Sequence, residues 1–128
     1  QGVTSTRILN NYGLELAQNR RYAEALACFD KALRIEPRNL SARANHGFTL
    51  FLTGREKEGR AELRQLTREV PSNQQGWLAL MIPCRNDTAE IRKIGEEALK
   101  TGQHFPKVEA LMERIQPESG PASTELLK

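Results

Sequence analysis

Apolar residues recur at helical spacing along most of the chain. Leu9, Tyr12 and Leu16 stand at i, i+3 and i+7, which predicts the buried stripe of a first helix. A second apolar stripe follows and stops at Pro37, because proline lacks the backbone donor and disfavours helix in the residue before it. The same order then recurs and stops at Pro71. The pattern therefore predicts successive pairs of helices.

The chain repeats itself with a fixed period. A shift of 34 residues gives nine identical positions over one period, where about two would match by chance at average composition. The matching positions are Asn11/Asn45, Gly13/Gly47, Leu16/Leu50, Arg21/Arg55, Glu24/Glu58, Ala27/Ala61, Arg34/Arg68, Pro37/Pro71 and Asn39/Asn73. A period of this length indicates stacked helix pairs, since one pair is too small to bury its own apolar face.

The first repeat contains a specific motif. Its residues are Leu9, Tyr12, Gly13, Leu16, Ala25, Phe29, Ala32 and Pro37. This motif resembles the tetratricopeptide repeat (TPR). Gly13, Ala25 and Ala32 are small, which allows paired helices to approach closely, and Phe29 fills the remaining space. The resemblance implies an all-α fold, a right-handed superhelix of antiparallel helix pairs with a C-terminal capping helix.

Later units depart from this motif. Arg43 and His46 stand where the family usually has large apolar residues, and we interpret both as tolerated departures. His46 has no second ligand at metal-binding spacing, so we expect no metal there. A third unit keeps the family's Trp77 but has Met81 at the glycine position and Pro83 late in its helix. We expect a degenerate TPR-like pair whose first helix is shortened or kinked.

The repeat pattern divides the chain into an array and a tail. The predicted array, residues 1–116, comprises repeat one at 6–39, repeat two at 40–73, the degenerate pair at 74–105 and the capping helix at 106–116. The capping helix carries Val108, Leu111, Met112 and Ile115 on one stripe, so a partner-binding or dimerising helix is the alternative interpretation. Residues 117–128 have loop composition and predict a flexible tail. The chain begins at Gln1 without a Met, so we expect a trimmed or processed product.

Composition places the chain among solvated helical proteins. It is 38% hydrophobic and 27% charged, with a net charge of +3. Its longest apolar runs are too short to cross a bilayer, so we expect no membrane insertion. Two cysteines are too few for a disulfide framework and favour a reducing compartment, the cytoplasm. A periplasmic location stays open if a leader was removed before Gln1.

The resemblance implies a peptide-binding groove along the first helix of each repeat. The predicted groove residues are Asn10, Asn11, Leu14, Ser41, Ala44, Asn45, Phe48, Phe51, Leu78 and Ile82. Ala44, Phe48 and Phe51 form a second apolar stripe, which either contacts a ligand or packs on the adjacent helix. Asn11 and Asn45 occupy equivalent positions, and a side-chain amide can pair with a peptide backbone whatever its sequence.

These features predict a protein–protein interaction module of the adaptor, scaffold or co-chaperone type. The partner would be another protein that presents an apolar peptide or helix. Family members that clamp a terminal carboxylate use Lys and Arg along the groove. The matching positions here are Asn10, Leu14, Asn45, Gln75 and Ala79. Only Asn45 agrees with the residues of the clamp, and no Lys or Arg is present at these positions, so we expect no such clamp.

Alternative functions have weaker support in the sequence. The array could be the docking or dimerisation arm of a larger enzyme or of a secretion or assembly factor, and the apolar stripes leave self-association open. RNA binding through Arg60, Arg64 and Arg68 is opposed by the interleaved glutamates and by the lack of a stacking aromatic residue. The sequence has no phosphate loop, metal cluster or catalytic triad, so we expect no enzyme activity, cofactor or small-molecule substrate.

Overall fold

The computed structural model describes residues 5–84 and 87–115. These residues form seven α-helices and one short 3-10 turn, and they contain no strand. The helices are α1 (Thr6–Gln18), α2 (Tyr22–Ile35), α3 (Leu40–Leu52), α4 (Glu56–Glu69), α5 (Gln74–Met81), α6 (Thr88–Leu99) and α7 (Pro106–Ile115). The predicted tail at 117–128 lies outside the described residues.

Side-chain caps determine where four of the helices begin. Ser5, Asn39, Asn73 and Asp87 precede α1, α3, α5 and α6. Each side-chain oxygen accepts a hydrogen bond from the backbone N–H three residues later, at 2.8 to 3.1 Å. Such a cap satisfies a donor that the first helical turn leaves unpaired. The three first helices of the repeats therefore start at equivalent places.

The helices pack as adjacent pairs in two layers. The helices α1 and α3 each pack along the second helix of their own pair. The first helices of the three pairs, α1, α3 and α5, also contact one another in that order, and α7 continues this layer after α5. In the described part of the chain, contacts among α2, α4 and α6 are fewer. The array therefore curves with the first helices on its inner side. This arrangement confirms the predicted all-α repeat of helix pairs.

Glycine allows the first two pairs to pack closely. A Cβ atom on Gly13 would lie 2.7 Å from the ring of Phe29, which is fully buried. In the second pair a Cβ on Gly59 would lie 2.6 Å from the carbonyl oxygen of Gly47. Backbone therefore meets backbone where α3 and α4 cross, and a larger residue there would force the helices apart.

The third pair is shorter and less closely packed. The helix α5 ends at Met81 and continues as a 3-10 turn, Ile82–Cys84, because Pro83 lacks a donor for a further helical turn. Met81 is fully buried at the position that glycine occupies in the first two pairs, and α5 contacts α6 less extensively than α1 contacts α2. The helix α7 packs against both α5 and α6.

One predicted core residue is on the surface. Tyr12 is 52% exposed, so its assignment to the buried stripe is wrong, although Leu9 and Leu16 are buried as predicted. At the equivalent positions, His46 contacts Asp30 of the preceding pair, and Leu80 is buried in the core. That position faces the preceding helix pair, and no described helix precedes α1.

We expect the substitution Gly59→Ala to destabilise the fold by about 1 to 3 kcal/mol, because the new methyl group meets the Gly47 carbonyl. Helix propensity alone predicts the opposite sign, a gain of about 1 kcal/mol. Urea unfolding followed by circular dichroism measures the difference. Lys57→Ala, on the exposed side of the same helix, is the control and should change stability by less than about 0.5 kcal/mol. A stabilised Gly59→Ala would contradict the close approach.

Candidate functional site

The predicted groove residues differ in how far each is exposed. Asn11, Leu14 and Ile82 are exposed. The half-buried residues of the set are Asn10, Ser41, Phe48 and Leu78, and the buried residues are Ala44, Asn45 and Phe51. The buried members all lie on α3. This helix packs between the first and the third helix pairs.

The predicted apolar stripe of α3 belongs mainly to the core. Ala44 and Phe51 are buried in the main apolar cluster, and Phe48 packs against the same cluster while remaining half-buried. The Phe51 ring also lies 5.6 Å from the guanidinium carbon of Arg60, a cation–π contact. The sequence left two uses open for this stripe, contact with a ligand and packing on the adjacent helix. The contacts of Ala44 and Phe51 show packing on adjacent helices.

Three side-chain amides form a ladder across the first helices. Asn45 is 9% exposed, and its Nδ2 donates to Asn10 Oδ1 on α1 at 3.0 Å. From the other side, Gln75 Nε2 on α5 donates to Asn45 Oδ1 at 3.3 Å. Ser41 Oγ donates to Gln75 Oε1 at 3.3 Å and extends the ladder. The Asn45 amide is therefore paired with side chains of its own array.

The two asparagines predicted to act together have different surroundings. Asn11 is exposed on α1, whereas Asn45 joins three helices. The third equivalent residue, Ala79, has no amide and is buried. An exposed amide such as Asn11 keeps its donors and acceptor for water or for a ligand, and Asn45 has committed both polar atoms to neighbours.

A groove lies between α5 and α7. We call it the α5–α7 groove, and its volume is about 700 Å³, within the range of ligand-binding pockets. Its lining residues are Leu78, Met81, Ile82, Ile91, Lys107, Ala110, Leu111, Arg114 and Ile115. The lining is mostly aliphatic, and its two ionisable side chains are both basic.

The groove contains two of the predicted site residues and a wall that the sequence did not predict. Leu78 and Ile82 line it, and Ile82 is 48% exposed. The opposite wall comes from α7, which the sequence suggested as a cap with one apolar stripe. In the structure Val108 is buried and Met112 lies beside Gly95 of α6, while Leu111 and Ile115 line the groove. The apolar stripe of α7 was the available signal, but spacing alone does not show that α6 covers one part of it and leaves the other part to the groove.

His46 connects three helices through two carboxylates. Its Nδ1 lies 2.6 Å from Glu62 Oε1 on α4, and its Nε2 lies 3.1 Å from Asp30 Oδ1 on α2. The hydrogen bond with Glu62 raises the pKa of His46, with further support from the charges of Glu62 and Asp30 and against the effect of burial. Arg43, the other residue that departs from the motif, forms an ion pair with Glu69, with Nη1 3.0 Å from Oε1. His46 therefore links the second pair to the first, and Arg43 links the two helices of the second pair, at positions where the family usually has large apolar residues.

The arginine stripe of α4 is partly engaged within the array. Arg60 lies over Phe51, and Arg64 Nη1 pairs with Glu97 Oε1 of α6 at 2.9 Å. Arg68 is exposed. Two of the three cations that would contact phosphate thus contact neighbouring side chains instead, so the geometry gives RNA binding no support.

Other chemistry is not evident in the described residues. In residues 5–84 and 87–115, no three His, Cys, Asp or Glu side chains are placed to hold a metal ion. None of the helices described there has the length and apolar character needed to cross a bilayer. Cys28 and Cys84 are free, and burial raises the pKa of both thiols.

Comparison with known proteins identifies the repeat. Residues 6–39 match the family model of the tetratricopeptide repeat. A comparison with curated proteins finds no match. The match covers the first repeat, and the seven described helices pack in adjacent pairs, so the chain contains a tetratricopeptide repeat within an all-α helical repeat fold. Tetratricopeptide repeats are generally protein–protein interaction modules and typically non-catalytic.

The amide ladder predicts different effects at the two equivalent asparagines. Asn45→Ala removes two hydrogen bonds between helices and should lower the free energy of unfolding by about 1 to 2 kcal/mol. Asn11→Ala is the matched control and should change it by less than about 0.5 kcal/mol. Urea unfolding of the two variants tests this, and equal effects would show that the ladder contributes no stability.

His46 should make the array more stable in mild acid. Because its folded pKa lies above the unfolded value of about 6.5, its contribution is complete below about pH 6.5 and is lost as the pH rises through the folded pKa. Neutral imidazole can donate to only one of the two carboxylates, so the loss should be about 1 kcal/mol.

Unfolding free energies of the wild type and of His46→Gln, measured at about pH 5.5 and about pH 8.5, isolate this contribution. The wild type should lose more stability than the variant on going to the higher pH. A parallel pH dependence of the two proteins would assign the effect to other groups.

Proposed function

We propose that this chain binds a short apolar peptide or helix of another protein, and that the α5–α7 groove is the main contact site. The observation that carries the proposal is the groove itself. It combines a suitable volume with an aliphatic lining on the inner side of the array. A site of this size should bind with an affinity on the order of micromolar.

Exposure supports this location over the rest of the predicted groove. Ile82 is half-exposed at the edge of the groove, and Leu78, Leu111 and Ile115 are only partly buried. Burial of these side chains by a ligand would remove apolar surface from water. By contrast, Ala44 and Phe51 have no comparable surface to offer, and Asn45 is engaged in the amide ladder.

The helix α1, at the other end of the array, also has exposed residues of the predicted groove. Leu14 and Asn11 are exposed there, so a long ligand could leave the α5–α7 groove and reach α1. We propose that Asn11, rather than Asn45, is the amide available to a peptide backbone. We also propose a reducing compartment, the cytoplasm, in keeping with the two free cysteines.

A charge placed in the groove should abolish partner binding. We expect Ile82→Glu to lose the proteins that wild-type chain captures from a lysate of its source cell, because the carboxylate would have to be desolvated against Leu78 and Leu111. Ile35→Glu is the matched control, since Ile35 is 51% exposed, lies on α2 and is not part of the groove. Quantitative mass spectrometry of the captured proteins, after direct cross-linking, is the measurement.

The comparison between the two variants decides the proposal. Loss of the same proteins from both variants, with circular dichroism showing that both are folded, would indicate general charge repulsion rather than a groove. Retention of all captured proteins by Ile82→Glu would exclude the α5–α7 groove as the site.

A further inference from the structure

The charges of the α5–α7 groove are arranged on one stripe of α7. Lys107, Ala110, Leu111 and Arg114 stand at i, i+3, i+4 and i+7, and all four line the groove. The two cations are therefore separated by two helical turns, about 10 Å along the axis. Small and aliphatic side chains fill the interval between them. The wall thus has a cationic group at each end and an apolar centre.

Neither of the two acidic residues of α7, Glu109 and Glu113, lines the groove, and Glu109 makes other contacts. Glu109 Oε2 lies 2.9 Å from His104 Nδ1 and accepts from the backbone N–H of Phe105 at 3.2 Å. The backbone N–H of Lys107 donates to Gln74 Oε1. Lys107 itself lies in the first turn of α7, where the helix dipole is positive and a cation is unfavourable. An anion brought to this end of the groove would relieve that repulsion.

The centre of the wall suits a helix as the occupant. Ala110 is exposed and small, so a helix lying along α7 can approach closely at that point, and Leu111 offers an apolar contact beside it. A partner helix with the complementary order has acidic residues two turns apart and apolar residues between them. Such a helix can run in either direction, because the order of charges on α7 is the same from both ends.

We propose that the α5–α7 groove binds an amphipathic helix of a partner protein that carries acidic residues at i and i+7 and apolar residues at i+3 and i+4. This inference rests on the proposed function and specifies the ligand class. Lys107 and Arg114 then determine specificity, since exposed ion pairs contribute modest affinity, whereas like charges at the same sites repel.

Two synthetic helical peptides test the inference. They differ only at i and i+7, with glutamate in one and lysine in the other, and both have leucine at i+3 and i+4. The wild-type chain should bind the glutamate peptide about tenfold more tightly in a fluorescence anisotropy titration. The double variant Lys107→Glu/Arg114→Glu should reverse this preference.

The control variant keeps the same change in net charge away from the groove. Lys31→Glu/Arg34→Glu alters two exposed cations of α2 and should retain the preference for the glutamate peptide. Equal binding of both peptides by the wild type, sensitive to Ile82→Glu, would leave the groove as a binding site and overturn its acidic specificity. A preference that survives in Lys107→Glu/Arg114→Glu, or binding of neither peptide, would also overturn the inference. The lysate experiment with Ile82→Glu decides the proposed function independently.

Discussion

The distance at which two paired helices can approach governs this structure. Gly13 lies against the Phe29 ring, and Gly59 brings the backbones of α3 and α4 together at Gly47. In the third pair the same position holds Met81, whose buried side chain prevents an equally close approach. The helix α5 is short, and α7 packs against both helices of that pair. The groove lies between this last pair and α7.

The fold could be predicted because its determinants are local and repeated. Pro37 and Pro71 interrupt helices by their covalent structure, and the capping residues precede the helices that they start. Tyr12 was assigned wrongly because burial at its position depends on a neighbouring pair, which a motif within one repeat does not contain. The same reasoning explains His46, whose polar ring is accommodated only because Asp30 and Glu62 come from two other helices.

The candidate site was less predictable than the fold. A helix in this array has up to four neighbouring helices, and spacing alone does not show which side each neighbour covers. The sequence consequently left two uses open for Ala44 and Phe51, which are buried, and it did not predict that Asn45 pairs with side chains of neighbouring helices. Leu78 and Ile82 line the groove, yet its other wall required the position of α7. The ladder through Asn45 also joins residues 30 to 35 positions apart, beyond the range of any helical periodicity.

The exposed face of α1 bears on how such an array can be lengthened. Ile8 and Tyr12 occupy the positions at which Ala42 and His46 meet the preceding pair, and both are exposed. A helix pair fused before α1 would bury these two side chains, so the added unit would gain an interface without any change to the existing core. Stability in linear repeats grows with each interface formed. The molecule is in this respect an extensible scaffold whose first unit already has the contact surface for another.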